Sequence, residues 1–205
     1  MRIRARSISG VAVVSLAAVL ATTIGLRVVH AQAQHVRWDI VTLDFTTTPF
    51  TVSEGGVAFA FARNPNTLSI KLTGSGTFVA PASGGPSGAV TGGGTWQTFN
   101  GAVPTGSGTY SVTRFARWEF AGFQTPGSLT DTIGSQSNAA NGMAVLLIEY
   151  SDGSLGSLGI GCHGPGAPPG IVEGVIATKG YVTYWDAGAP VGGVDTNRTI
   201  FHVEK

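Results

Sequence analysis

Apolar and polar residues alternate along most of the chain with a period of two, which is typical of β-strands with one buried face. Leu68, Ile70 and Leu72, for example, alternate with Ser69 and Lys71. Helix-forming residues never line up at the spacing of three and four that an amphipathic helix requires. The same alternation predicts further strands at 36–40, 57–61, 110–120, 171–178, 181–185 and 199–203.

The longest predicted strand, 110–120, breaks its own alternation. Most of its apolar residues share one face with Arg114, but Phe115 falls on the opposite face with Arg117 and Glu119. A regular strand cannot keep every apolar residue of this segment on one side. We therefore predict that the strand bends, crosses a β-bulge or buries a charge.

The segment 143–150 is apolar on both faces, which predicts a central strand covered on both sides. Asp152-Gly153 follows, and such a pair supplies the positive φ angles of a tight hairpin turn. The segment 155–162 is therefore expected to return antiparallel to it.

Three segments, 74–78, 92–96 and 106–110, share the pattern Gly-x-Gly-Thr-aromatic. Paired glycines let a chain turn or let two strands approach closely, and Thr with an aromatic residue favours a strand. We interpret them as three similar strand beginnings in a meandering sheet; a repeat that lines one ligand pocket is the alternative. The segments resemble the glycine-flanked strands of dirigent and allene-oxide-cyclase-type barrels, and the resemblance carries no catalytic residue across.

About ten short strands predict a single all-β domain, because closed barrels and paired sheets hide the edges of such strands. A long strand such as 110–120 can bend across a closed structure. The preferred fold is therefore a single antiparallel β-barrel, with a β-sandwich as the alternative.

Residues 1–33 have the pattern of a secretory signal peptide. Three arginines within the first six residues precede an apolar run, and Ala31-Gln32-Ala33 supplies the small-x-small cleavage pattern. Residues 34–205 then form the exported domain, in a secreted or periplasmic location. A membrane anchor is the alternative, because the uncharged run is long enough to span a bilayer.

Removal of the signal peptide changes the charge of the protein. The whole chain has 12 basic and 11 acidic residues, and four of the basic residues lie in the signal, which leaves a net charge of about −3. Without a Lys/Arg cluster, the domain lacks the surface that nucleic acid or an anionic membrane requires. We expect no nucleic-acid partner and no stable membrane insertion after signal cleavage.

The motifs of common catalytic sites do not occur. The Gly-rich segments lead into strands and lack Gly-Lys-Ser/Thr, and Gly-x-Ser-x-Gly is missing. His163 precedes a loop and is a weak zinc-ligand candidate with a second His and a carboxylate. The single cysteine, Cys162, is expected to be buried, with a reactive thiol as the alternative. We predict no catalytic residue, no metal site and no cofactor.

Two acidic residues within apolar strands, Glu119 and Glu149, are candidate binding residues. A carboxylate inside a closed β structure requires an Arg partner or a raised pKa. Arg114 and Arg117 are the nearest partners along the chain. The alternative is that both carboxylates point into solvent.

The C-terminal third carries a dense set of side chains that can bind a ligand. Aromatic rings next to carboxylates can stack on and hydrogen-bond a small amphipathic molecule. Tyr181 and Trp185 are the predicted binding residues of this set, although the same residues can also close the end of a sheet. The full set is Glu173, Lys179, Tyr181, Tyr184, Trp185, Asp186, Asp195, Asn197 and Arg198.

These features predict an exported, non-catalytic β domain that binds a small or amphipathic ligand. A surface-associated structural or adhesion module and a barrel-type cyclase or isomerase are the alternatives. The three functions require different interiors. A binding domain needs an apolar cavity, a structural module has a filled core, and an enzyme needs a cluster of polar side chains in its cavity.

Overall fold

The computed structural model describes residues 33–204, and the predicted signal peptide, apart from Ala33, lies outside them. This part of the chain is all-β, with 59% of the described residues in strands and 2% in helix. The only helical element in this part of the chain is a single 3₁₀ turn at Gln136–Asn138.

Fourteen strands, rather than about ten short ones, occur in the described residues. They are β1 (Gln34–Asp44), β2 (Thr51–Glu54), β3 (Ala58–Phe61), β4 (Leu68–Leu72), β5 (Ser75–Ala80), β6 (Val90–Asn100), β7 (Val103–Phe123), β8 (Thr130–Asp131), β9 (Ala139–Tyr150), β10 (Leu155–Cys162), β11 (Gly174–Lys179), β12 (Val182–Tyr184), β13 (Asp186–Ala187) and β14 (Thr199–Val203).

Six strands close into an antiparallel barrel in the order β9, β14, β1, β5, β6 and β7, so the predicted barrel is confirmed. The 21-residue strand β7 closes the ring, because its first half pairs with β6 and its second half pairs with β9. The remaining strands extend the sheet: β10, β11 and β12 follow β9, and β4, β3 and β13 follow β6, while β2 pairs with β1 and β8 pairs with β2.

Strand β7 crosses three register shifts along its pairing with β9, at Val112/Arg114, Phe115/Arg117 and Phe120/Gly122. The predicted bulge is therefore present. These shifts account for the break in alternation at Phe115, whose ring lies in the core and is 2% exposed.

The barrel interior is filled by side chains. Phe78 stacks on Phe115 with ring centroids 4.9 Å apart, and Trp118 meets Phe201 edge-on at 4.6 Å. Trp38 is fully buried in the same core. A second, smaller core lies on the outer side of β1 and β14 and consists of Val41, Val52, Leu129, Ala139 and Ile200.

Within β9, the segment 143–150 is covered on one face only, which corrects the expectation that it is buried on both sides. Ala144, Leu146 and Ile148 face the core, whereas Met143 and Leu147 are more than one third exposed. The hairpin to β10 is confirmed, and Leu155 of β10 pairs with Glu149 of β9. Only Gly153 of the turn has a positive φ angle.

The three Gly-x-Gly-Thr-aromatic segments lie in the consecutive antiparallel strands β5, β6 and β7. Gly94 of β6 shows why glycine is needed there: a Cβ at this position would lie 1.9 Å from the carbonyl oxygen of Thr73. A close approach of backbones therefore explains the glycines of the first two segments, whereas Gly106 and Gly108 of the third lie against the ring of Trp96.

Candidate functional site

A small cavity of about 100 Å³ opens beside the second core. Its apolar wall comes from β1, β2, Ile200 of β14 and Leu129, and its polar wall comes from Gln124, the segment that follows β10, Glu173, Arg198 and Thr199. The lining residues are Val41, Leu43, Phe50, Val52, Gln124, Leu129, His163, Gly164, Pro165, Glu173, Arg198, Thr199 and Ile200.

The first wall is apolar. Val41, Val52, Leu129 and Ile200 are almost fully buried and pack on one another. Burying this surface stabilises the attachment of the 124–133 segment to the barrel. It also gives the cavity an apolar side.

Glu173 dominates the electrostatics of the polar wall. Its Oε1 accepts hydrogen bonds from the Thr199 backbone N–H (2.7 Å) and hydroxyl (3.3 Å), and its Oε2 accepts one from the His163 backbone N–H. Burial raises the pKa of Glu173 from 4.5 to about 7, although these donors and Arg198 counteract the effect. The site therefore holds a carboxyl group that titrates near neutral pH.

Two further groups of the polar wall have unused hydrogen-bonding capacity. Gln124 is 6% exposed, and its Nε2 donates to Cys162 Sγ at 3.4 Å, but its buried Oε1 has no partner among residues 33–204. The buried Nε of Arg198 also has no partner in this range, while Nη2 donates to the Val191 carbonyl at 2.8 Å. Gln124 and Arg198 both line the cavity, and each carries a buried polar atom without a hydrogen-bond partner among residues 33–204. Buried polar atoms normally have such a partner.

Four of the six predicted binding residues lie elsewhere, on the outer face of β7 and β9. Arg117 Nε donates to Glu119 Oε1 at 2.8 Å, and both side chains are largely exposed. Arg114 and Glu149 are also exposed on this face. Successive side chains of a strand point to opposite faces of the sheet. The apolar residues next to Glu119 and Glu149 along the chain therefore lie on the face opposite to the two carboxylates.

The two predicted aromatic residues are separated from that face. Tyr181 is 98% exposed at the turn between β11 and β12. Trp185 lines a shallow apolar groove with Met143, Gly159 and Ile176. Neither side chain lines the cavity beside the second core.

A larger open groove of about 670 Å³ runs between the 81–85 segment and β7. Arg117, Trp118 and Glu119 line it with Gln34. Its two charged groups pair with each other, so they have less capacity for a ligand than the unpaired atoms of the smaller cavity.

Sequence reasoning found part of the cavity. Glu173 and Arg198 belong to the C-terminal set, and His163 was the weak zinc-ligand candidate. Gln124 was missed; an uncharged polar residue directly after the apolar end of β7 was the available signal.

Cys162 is buried, as expected, and burial raises the pKa of its thiol. Within residues 33–204, no three His, Cys, Asp or Glu side chains form a group that could hold a metal ion. No helix in the same range is long and apolar enough to cross a membrane. Comparisons of the chain with protein-family models, with curated proteins and with solved structures found no match.

Proposed function

We propose that the protein is an exported, non-catalytic domain that binds a small, neutral amphipathic molecule in the cavity beside the second core. The observation that carries this proposal is the pairing of two unsatisfied polar atoms, Gln124 Oε1 and Arg198 Nε, with an apolar wall. Ligand sites combine apolar walls with a few convergent polar groups in this way.

The two polar atoms define the ligand's head group. Gln124 Oε1 requires a donor, and Arg198 Nε requires an acceptor. Glu173 disfavours an anionic ligand, because its carboxyl group is partly ionised near pH 7 and its negative charge repels a second anion. A primary amide or an alcohol meets all three conditions.

The volume limits the size of the ligand. A cavity of about 100 Å³ has room for roughly three water molecules at about 30 Å³ each, or for a molecule of about six non-hydrogen atoms. A short branched tail suits the wall formed by Val41, Val52, Leu129 and Ile200. Isobutyramide has both the size and the head group.

A thermal unfolding experiment tests the proposal. Isobutyramide is compared with its isomer N,N-dimethylacetamide, which has the same size and an acceptor but no N–H donor. A ligand this small binds with a Kd on the order of 1 mM. At about 100 times the Kd, the amide should stabilise the folded protein by about 2.7 kcal/mol.

The variant Gln124→Met removes the unsatisfied acceptor and keeps the approximate size of the side chain. It should lose the stabilisation by isobutyramide, whereas Gln97→Met on β6 should keep it. Equal effects of both isomers on the wild-type protein, or an unchanged effect on Gln124→Met, would show that the cavity holds only water.

The filled barrel interior supports a surface-associated structural module as the second candidate function. A structural module remains with the washed cell envelope when the producing cells are fractionated. A ligand-binding domain appears instead in the soluble exported fraction.

Export itself requires a native chain that begins near Gln34, and a membrane-bound chain that retains Met1 would contradict it.

A further inference from the structure

The proposed export identifies the residue that begins the exported chain, and the inference below rests on that proposal. Signal peptidase cleaves after the second small residue of Ala31-Gln32-Ala33. Gln34 then becomes the N-terminal residue, with a free α-amino group next to its own side-chain amide.

The structure holds the side-chain amide of Gln34 in place. Its Oε1 accepts a hydrogen bond of 2.9 Å from Trp118 Nε1. The Trp118 ring is itself fixed by edge-on contacts with Phe78 and Phe201, at centroid distances of 5.6 and 4.6 Å. Gln34 and Trp118 both line the open groove beside β7, so the first residue of the chain has space around it.

We propose that Gln34 cyclises to an N-terminal pyroglutamate in the folded protein and that Trp118 assists the reaction. The α-amino nitrogen attacks the side-chain Cδ, and a new C–N bond closes the lactam. The bond between Cδ and Nε2 breaks, the proton released by the amine passes to the departing nitrogen, and ammonia leaves. The exchange requires no oxidant, metal or cofactor.

Trp118 contributes at the atom on which charge develops. Attack on Cδ places negative charge on Oε1, and an N–H already directed at this oxygen stabilises that charge. The same oxygen becomes the lactam carbonyl, so the hydrogen bond persists in the product. Cyclisation removes the positive charge of the N-terminus at the beginning of β1.

Intact-mass measurement and N-terminal peptide mapping of the native exported protein test the modification. The expected chain begins at Gln34 and is lighter than the unmodified chain by one ammonia. A chain that begins at Gln34 with a free amine would overturn the cyclisation and leave export standing. A chain that begins at another exported residue would overturn the cyclisation alone, and a membrane-bound chain with Met1 would overturn both.

The role of Trp118 has a separate test. Trp118→Phe keeps a ring in the core but removes the N–H, and Trp185→Phe is the matched control. In pulse-labelled protein sampled after export, Trp118→Phe should cyclise about tenfold more slowly, a smaller effect than the roughly hundredfold or more that a single oxyanion donor contributes in an enzyme. Wild-type protein unfolded in urea should show the same slow rate. Equal rates in Trp118→Phe, in unfolded and in folded wild-type protein would exclude assistance by Trp118.

Discussion

His202 and Asp131 form a buried pair that joins the last strand to the segment after β7, with Nε2 and Oδ2 2.6 Å apart. Asp131 Oδ1 also accepts hydrogen bonds from the backbone N–H groups of Ile133 and Gly134. Both side chains of the pair are less than 10% exposed. The pair therefore holds the segment after β7, which includes Gln124 and Leu129, against β14, where this segment covers the second core and the cavity.

Replacement of Asp131 by Ala should destabilise the protein by about 3 kcal/mol. The change leaves the ring of His202 and the backbone N–H of Ile133 without their partner in a partly buried place. Urea unfolding of the wild type and the variant measures the difference. Glu149→Ala, at an exposed residue of β9, is the control for loss of a carboxylate. An equal effect of both changes would contradict a specific role for the pair.

The carboxylate of Asp131 should also account for part of the loss of folding stability in acid. Burial alone would raise the pKa of Asp131, but the hydrogen bonds from His202, Ile133 and Gly134 lower it below 3.8. Asp131 therefore contributes its full stabilisation at pH values above its ordinary pKa of 3.8, and this contribution is lost as the pH falls through the lowered pKa. Between pH 5 and 2, the wild type should lose more unfolding free energy than Asp131→Ala, and parallel curves would contradict this.

Glu173 should give the free energy of unfolding the opposite dependence on pH. Because its pKa is raised from 4.5 to about 7, its contribution to stability is complete below 4.5 and is lost as pH rises through 7. Glu173→Gln should flatten the change in unfolding free energy between pH 5 and 8, whatever its effect on absolute stability. A slope identical to that of the wild type would show that Glu173 titrates normally.

Cys162 should be inert in the folded protein. Burial raises the pKa of its thiol, and the reactive species is the thiolate. We expect a thiol reagent to modify the folded protein roughly a hundredfold more slowly than the urea-unfolded chain, at a rate set by opening of the structure. Rapid modification of one thiol without urea would contradict this expectation.

Gly94→Ala tests the close approach of strands within the repeated glycine motif. The new Cβ would lie 1.9 Å from a backbone oxygen, so the strands must separate, at a cost of about 2 kcal/mol or more. Gly88→Ala is the control, because a Cβ there has no atom within 4 Å. Equal unfolding free energies of the two variants would refute the packing explanation.

Local pattern predicted the strands but not their closure. Alternation indicated an all-β protein and the hairpin from β9 to β10, because both depend on neighbours along the chain. The pairing of β14 with β1 joins residues such as Val203 and Val36 that are far apart in sequence, and alternation contains no information about such partners. The break in alternation at Phe115 predicted a bend, a bulge or a buried charge, but it did not show where the three register shifts of β7 would lie.

The site was harder to predict for a related reason. The cavity is assembled from separate segments, and Gln124, Glu173 and Arg198 converge only after the barrel closes. Glu119 and Glu149 were predicted as binding residues because apolar residues surround them along the chain, but those neighbours occupy the opposite face of each strand. Composition around a residue does not reveal which face its own side chain occupies.

The central claim is that the cavity binds a small neutral amphipathic molecule, and a site-resolved NMR titration tests it most directly. Isobutyramide is added to ¹⁵N-labelled protein while the backbone amides of His163 and Thr199 and the side-chain amide of Gln124 are followed. We predict saturable shifts confined to residues that line the cavity, with a Kd on the order of 1 mM and no saturation with N,N-dimethylacetamide. Shifts that grow linearly, spread over the surface or are equal for both isomers would contradict the claim.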